Sequence, residues 1–217
     1  MTDVSPMFVE PSPVPADLSG ELVVLVDDGG AAIGVAPKAS VHGADTPRHL
    51  AFSCYVIDAS GRLLVSRRAT TKPTFPGVLT NSLCGHPGAG ESLPEAVCRR
   101  AGSELGLDLA GWPIRLVLPQ FSYAAEMNGV VENEACPVFV VTVPDGIPLA
   151  PDADEVASVE WMPWADYRDR VLDGSLQVSS WSADQVRQLV ALGADPATWP
   201  EAPASDLPPA AQPHPAG

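Results

Sequence analysis

Hydrophobic and polar positions change period several times along the 217-residue chain, and each change marks an element. Glu21-Leu-Val-Val-Leu-Val26 predicts a strand, and Asp27-Asp-Gly-Gly30 predicts a turn into a second strand near Ile33 to Val35. Leu50 to Ile57 and Leu63 to Arg67 predict a hairpin around Asp58-Ala-Ser-Gly61. Arg115 to Tyr123 and Val131 to Val143 predict a third, joined at Asn128-Gly129, and Val156 to Trp161 a further strand. Helical periodicity covers Leu93 to Leu105, about Trp164 to Leu172, and Ala183 to Leu192. The first helix has Ser92 and Glu95 in capping-box spacing, Gly106 just past its end, and Val97, Ala101 and Leu105 inward. Strands with interspersed helices and few βαβ repeats predict an α+β sandwich rather than a doubly wound sheet.

The two ends depart from this pattern. Residues 1–17 carry Pro6, Pro11, Pro13 and Pro15, and residues 196–217 hold seven prolines and six alanines. Proline removes a donor and fixes φ, so both segments are expected to be disordered tails, dispensable for chemistry, flanking one domain over 18–195. No apolar run approaches the roughly 18 residues of a membrane span. Met1 to Leu18 contains neither Lys nor Arg and has no secretory pattern. Four scattered cysteines in a chain of this size predict free thiols and a cytoplasmic location.

Charge adds one asymmetry. The net charge of −15 argues against nucleic-acid partners. Yet Lys38 to Arg100 holds eight of the 12 basic residues and four of the 27 acidic ones, so that stretch carries +4. A site for a small anion would look like this; so would clustering on solvated faces.

Gly85 to Leu107 carries the most information. It fits G-x5-E-x7-R-x-U-x-x-E-x-G-U through Gly85, Glu91, Arg99, Ala101, Glu104, Gly106 and Leu107, which resembles the Nudix box. In that motif glutamates on one helical face gather divalent cations beside a diphosphate. Here Arg100 and Ser103 stand where glutamates are expected, and only Glu104 remains of that cluster. Candidate ligands appear elsewhere: His42, His49 and His86, with Glu132 and Glu134 alternating on one strand so that both face the same side. Five N/O donors suit Mn²⁺, Mg²⁺ or Zn²⁺ without choosing among them. The fourth histidine, His214, lies in the Pro/Ala tail.

Thr80-Asn-Ser-Leu-Cys-Gly-His-Pro87, Val131-Glu-Asn-Glu-Ala-Cys-Pro-Val-Phe139, His42 to Phe52 and Leu64-Val-Ser-Arg-Arg-Ala69 together resemble type 1 isopentenyl diphosphate isomerase, over roughly Leu22 to Leu192. The resemblance implies a Nudix-like αβα sandwich with a mixed central sheet and extra N-terminal strands. It implies an allylic isomerisation of an isoprenoid diphosphate through a tertiary carbocation. Cys84 and Glu134 would be the two proton-handling groups on opposite sides of the substrate, and His42, His49, His86, Glu132 and Glu134 would hold a metal, Mn²⁺ or Mg²⁺, with Zn²⁺ also compatible. Lys38, Arg68, Lys72 and Arg100 would bind the diphosphate, with Glu104 and the Cys84 carbonyl holding a bridging Mg²⁺. Trp181 and Tyr123 would wall the carbocation. Arg67 would face away; Trp161, Trp164, Cys54, Cys98 and Cys136 are expected in the core, while Trp112 and Trp199 have no assignment.

Ser122 and Ala124 replace arginines common in the family, Leu79 and Phe75 replace tryptophans, and Ser180 replaces a proline. These departures bear on pocket shape more than on reaction class. Two rival readings are a Nudix diphosphate hydrolase, which Arg100 and Ser103 disfavour, and a non-catalytic diphosphate sensor, which Cys84 and Glu134 disfavour. Monomer and homodimer stay equally open.

Overall fold

A computed structural model describes residues 21–213. In chain order the strands are β1 (Leu22–Val26), β2 (Ala32–Pro37), β3 (His49–Leu50), β4 (Phe52–Asp58), β5 (Arg62–Arg68), β6 (Leu79–Thr80), β7 (Leu83–Gly85), β8 (Ile114–Leu118), β9 (Ser122–Met127), β10 (Val130–Ala135), β11 (Val138–Val143) and β12 (Val156–Pro163). The helices are α1 (Lys38–Val41), α2 (Leu93–Leu105), α3 (Trp164–Leu172) and α4 (Ser180–Leu189). They build two mixed sheets, ordered β2-β1-β3-β10-β9 and β12-β5-β4-β11-β8, with β6 paired to β5 and β7 to β4.

The second sheet is the centre of the sandwich. Every residue of β4 is buried, as expected of a strand covered on both faces. Period two divides it: Phe52, Cys54 and Val56 pack with α2, while Tyr55 and Ile57 pack with α3 and α4. β11 divides likewise, with Phe139 and Val141 toward α2 and Val138 and Val140 toward the other helices. The expected αβα layering is therefore present, and β1 and β2 are the extra N-terminal strands. α2 begins with the full Ser92–Glu95 capping box and ends on Gly106 in the left-handed conformation. Val97, Ala101 and Leu105 are buried as anticipated.

The predicted third hairpin needs correction. Val131 to Val143 is not one strand: it breaks at Cys136-Pro137 into β10 and β11, which belong to different sheets. Proline has no N–H for a ladder, so the chain leaves one sheet there and enters the other. Its partner divides in the same way, β8 pairing with β11 and β9 with β10. Asn128-Gly129 does close the β9–β10 turn, both residues having positive φ. The two-stranded reach of Leu50 to Ile57 likewise splits at Ala51. Cys54 and Cys136 are core, but Cys98 lies half-buried on the flank of α2, and Trp161 is only partly buried beside the core.

The expectation of a disordered tail at 196–217 also fails over the described part; residues 1–17 and 214–217 lie outside the described residues. Residues 196–213 form 3-10 turns at Pro196–Thr198, Ala204–Asp206 and Pro209–Ala211 and lie against the domain as a strap. Trp199 is 1 % exposed and meets Trp164 edge-to-face at 5.1 Å. Arg115 donates to the carbonyls of Trp199 and Pro196, Ala202 N–H to Leu116 O at 2.8 Å, and Ala210 N–H to Gly30 O at 2.9 Å. Proline suits the first positions of such turns, and Trp199 and Leu207 anchor them. Truncation before Pro196 is therefore expected to lower the urea midpoint sharply, and Trp199→Ala alone should cost about 3–5 kcal/mol. An unchanged midpoint in either variant would show that the strap is not part of the folding unit.

Candidate active site

Three elements converge where the sheets meet. β3 and β10 run parallel with His49 opposite Glu134, so backbone register brings an imidazole beside a carboxylate. Glu132, two residues earlier, shares Glu134's face. His42 follows α1, and a bridge between Gly43 and Val131 draws its loop over β10. His86 follows β7, which is paired to β4.

The outcome is a cluster in which one donor atom from each of His42, His49, His86, Glu132 and Glu134 lies within 4.8 Å of every other. His42 Nε2 is 3.1 Å from Glu132 Oε2, His86 Nε2 is 3.0 Å from Glu134 Oε1, and the Nε2 atoms of His49 and His86 are 3.2 Å apart. His49 Nδ1 lies 2.9 Å from the Pro47 carbonyl; donating there directs Nε2 and its lone pair into the cluster. His42 Nε2 and Glu132 Oε2 are buried without a hydrogen-bond partner. Converging lone pairs and orphaned buried donors of this kind fit a divalent cation, and the imidazole–carboxylate set suits one.

Burial disfavours charge on Glu134, but the His49 and His86 imidazoles beside it outweigh burial and hold its carboxyl well below the usual carboxylate range. Burial likewise opposes charging His49, yet Glu134 raises its pKa overall; at His86 burial wins and the pKa falls.

A cavity of about 440 Å³ opens onto this cluster. Apart from His49, which is fully buried behind it, every sequence-predicted site residue lines that cavity: Cys84, Glu134, Tyr123, Trp181, Lys38, Arg68, Lys72, Arg100, His42, His86, Glu132 and Glu104. Cys84 stands opposite Ser53 of β4 in the β7 pairing. Burial pushes its thiol up to about 12, against a hydrogen bond with Ser53 that pulls the other way. Tyr123 lies opposite Glu134 in register, and its ring is 5.3 Å from that of Trp181. Phe75, buried in the core, meets Trp181 edge-to-face at 5.0 Å and backs its ring. Ser122 and Ala124 are exposed on the outer face of β9 and do not reach the cavity.

Four cationic side chains, Lys38, Arg68, Lys72 and Arg100, line the same cavity. Phe75 adopts φ 47°, a conformation rare outside glycine, and its carbonyl and that of Thr74 accept hydrogen bonds from Arg68. Arg100 is buried and bonds Glu104 on the next turn of α2, and Gly85 makes room for it: a Cβ there would lie 3.0 Å from Arg100 Cγ and 3.1 Å from the Phe52 ring. Two carboxylates escaped the sequence reading. Glu21 pairs with Lys38 at 2.6 Å and reaches Arg100 at 3.4 Å, and Glu155 pairs with Lys72 and lies 3.5 Å from Arg100. No motif marks either one; only folding brings them to the mouth. Glu91 and Arg99, the remaining box residues, form a two-pronged ion pair that also ties Gly88 N–H and the His86 carbonyl, so they brace the loop bearing His86.

No helix among the described residues is long and apolar enough to cross a membrane. Comparison with known proteins agrees with the architecture. The NUDIX domain family is matched over residues 47–182. Proteins named isopentenyl-diphosphate Delta-isomerase are similar over most of the chain: that of Saccharopolyspora erythraea is 53 % identical over 88 % of this chain and 97 % of its own. That of Mycolicibacterium vanbaalenii is 50 % identical over 83 % and 97 %, and that of Rhizobium rhizogenes 48 % over 92 % and 94 %. Among solved structures, DR0079 from Deinococcus radiodurans superposes with a TM-score of 0.58 at 20 % identity, covering 77 % of this chain and 98 % of that one. A MutT protein from Methanosarcina mazei Go1 does so at 0.51 and 16 %, covering 67 % and 94 %; both likenesses concern the fold. With its box, its layering and nearly full-length relatives at about half identity, this chain belongs to the NUDIX domain family and, within it, to the isopentenyl-diphosphate Delta-isomerases.

Proposed function

We propose that the protein interconverts isopentenyl diphosphate and dimethylallyl diphosphate by a 1,3-allylic proton transfer through a tertiary carbocation. The names of its relatives support the substrate pair. The observation that carries the chemistry is a single cavity lined by Cys84 and Glu134 together with four cationic side chains, Lys38, Arg68, Lys72 and Arg100.

Proton addition and removal need one donor and one acceptor. With its thiol pushed up to about 12, Cys84 holds its proton at neutral pH, and Glu134, held well below the usual range, is a carboxylate. The resting site therefore presents an S–H and a carboxylate. Trp181 and Tyr123 offer ring faces to the cation, worth about 0.5–2 kcal/mol and more when desolvated. Lys38, Arg68, Lys72 and Arg100 hold the diphosphate, which must compete with Glu21 and Glu155 for the first, third and fourth of them. A divalent ion on the His/Glu cluster, Mn²⁺ or Mg²⁺ by the family's habit and Zn²⁺ by the donor set, would supply positive charge that tunes the acidity of Glu134. Glu104, with the Cys84 carbonyl, would hold a substrate-borne Mg²⁺. Hydrolysis is disfavoured because Arg100 and Ser103 stand where the box has metal-gathering glutamates.

Incubation with isopentenyl diphosphate and Mg²⁺ in deuterated water tests the reading. Deuterium-bearing dimethylallyl diphosphate is expected; phosphate release would point to the hydrolase, and binding without turnover to a sensor. Cys84→Ala is expected to lower turnover by about 10²-fold or more while diphosphate binding persists, a range set by positioned acid–base groups. Retention of a tenth of the wild-type rate would remove Cys84 from the mechanism.

Metal content separates the two cation sites. His49→Ala should lower tightly bound metal, measured by mass spectrometry, together with activity, whereas Glu104→Gln should mainly weaken Mg²⁺-dependent diphosphate binding. Acidification through the imidazole range should release the tight metal, since protonated imidazoles cannot ligate. The opposite pattern, an intact site in His49→Ala and an empty one in Glu104→Gln, would return the metal to the Nudix helix.

A further inference from the structure

Behind Cys84, on the side away from the cavity, lies a file of buried polar side chains that the reaction as described does not use. Gln185 Nε2 donates to Ser53 Oγ at 2.8 Å, and Gln185 Oε1 accepts from the Tyr55 hydroxyl at 2.9 Å. The file continues through Ser182 Oγ, 3.3 Å from Tyr55, to the Tyr167 hydroxyl at 2.7 Å. All five residues are 0 % exposed.

The donors and acceptors can be oriented. Ser53 accepts from Gln185, so its own hydrogen is free for the two sulfurs nearby, Cys84 Sγ at 3.3 Å and Cys136 Sγ at 3.5 Å. Asn81 donates both amide hydrogens to backbone carbonyls, of Cys54 at 3.1 Å and Leu83 at 3.0 Å, which turns Oδ1 toward the thiol at 3.2 Å. Cys84 thus gives its hydrogen to Asn81, and the single Ser53 hydrogen is shared between the Cys84 and Cys136 sulfurs. Two bonds from different directions define where the sulfur sits and where its proton points.

Stability alone does not account for this arrangement, because apolar residues of similar shape would fill a dry core at least as well. Nor is it a route for protons to solvent: it ends at Tyr167, itself fully buried. What remains is placement. Gln185 also lies one turn after Trp181 on α4, so the helix that carries the aromatic wall carries the far anchor of the thiol.

We propose that Gln185 is a positioning residue for Cys84, acting through the Ser53 hydroxyl and itself oriented by Tyr55. The inference rests on Cys84 being a proton carrier of the isomerisation. Misplacement of a reacting group by a fraction of an ångström to an ångström costs about ten- to hundredfold in rate. Gln185→Met, which keeps the volume and removes both bonds, should therefore lower kcat by about that factor with KM and metal content unchanged. Tyr55→Phe should lower kcat several-fold. Ser53→Ala should match Gln185→Met, Ser53→Thr should restore most of the rate, and the double variant Ser53→Ala/Gln185→Met should lose no more than Ser53→Ala alone, because the two act in series.

Losses that multiply in the double variant, or a KM that rises as kcat falls, would assign Gln185 to helix packing and overturn the proposal. Full turnover in both Gln185→Met and Tyr55→Phe would overturn it too. Should Gln185→Met not fold, Tyr55→Phe and the Ser53 pair decide the matter. An active Cys84→Ala would overturn the proposal by removing the proton carrier it rests on, whereas phosphate release without isomerisation by the wild-type protein would remove the proposed function, so the failures are distinguishable.

Discussion

One parallel ladder organises the molecule. Residues from His49 to Asp58 run beside residues from Glu134 to Val143 with a single register that is kept across the junction between the sheets. In the first sheet it sets His49 against Glu134; past the junction it sets Ser53 against Val138. Ser53 in turn faces Cys84 through β7. His49, Glu134 and Ser53 therefore depend on one register. A slip of β10 by one residue would turn Glu132 and Glu134 to the opposite face and away from His49. Apolar burial on both faces of β4 and β11 resists such a slip, so the hydrophobic core and the active site are specified by the same pairing.

The cavity at the end of this ladder is electrostatically crowded. Lys38, Lys72 and Arg100 line it, and Glu21, Glu104 and Glu155 already neutralise them. Buried or half-buried cations of one sign would repel each other if left unpaired, and the carboxylates relieve this until an anion arrives. Arg68 is treated differently. Backbone carbonyls hold its guanidinium, so its full positive charge remains available.

How far this could be read from residues follows from where the determinants lie. Motifs whose members are close in sequence were legible: the capping box, the Asn128-Gly129 turn, the Nudix loop and the two strings around Cys84 and Glu134. Those strings led to the same residues that line the cavity, because register and alternation are local rules. The break at Cys136-Pro137 was also available from proline's missing donor, but the surrounding valines read as one strand. Glu21, Glu155 and Gln185 were not legible at all, since each meets its partners only across the fold. The C-terminal strap differs from its expectation for another reason. Proline density alone predicts disorder, whereas Trp199 and Leu207 among the prolines supply enough buried apolar surface to fix the turns.

The strap has a consequence for how the protein is made. Ala210 bonds Gly30 in the turn between β1 and β2, and Trp199 fills the core beside Trp164. Residues synthesised early therefore wait for residues synthesised late. A nascent chain that has already exposed His42 to Trp181 still lacks the groups that cover Arg115 and the α3 face. Such long-range closure slows folding relative to local contacts, and unfinished species keep apolar surface open for longer. Emergence of the strap, rather than of the motifs around Cys84 and Glu134, is the point at which this fold can close.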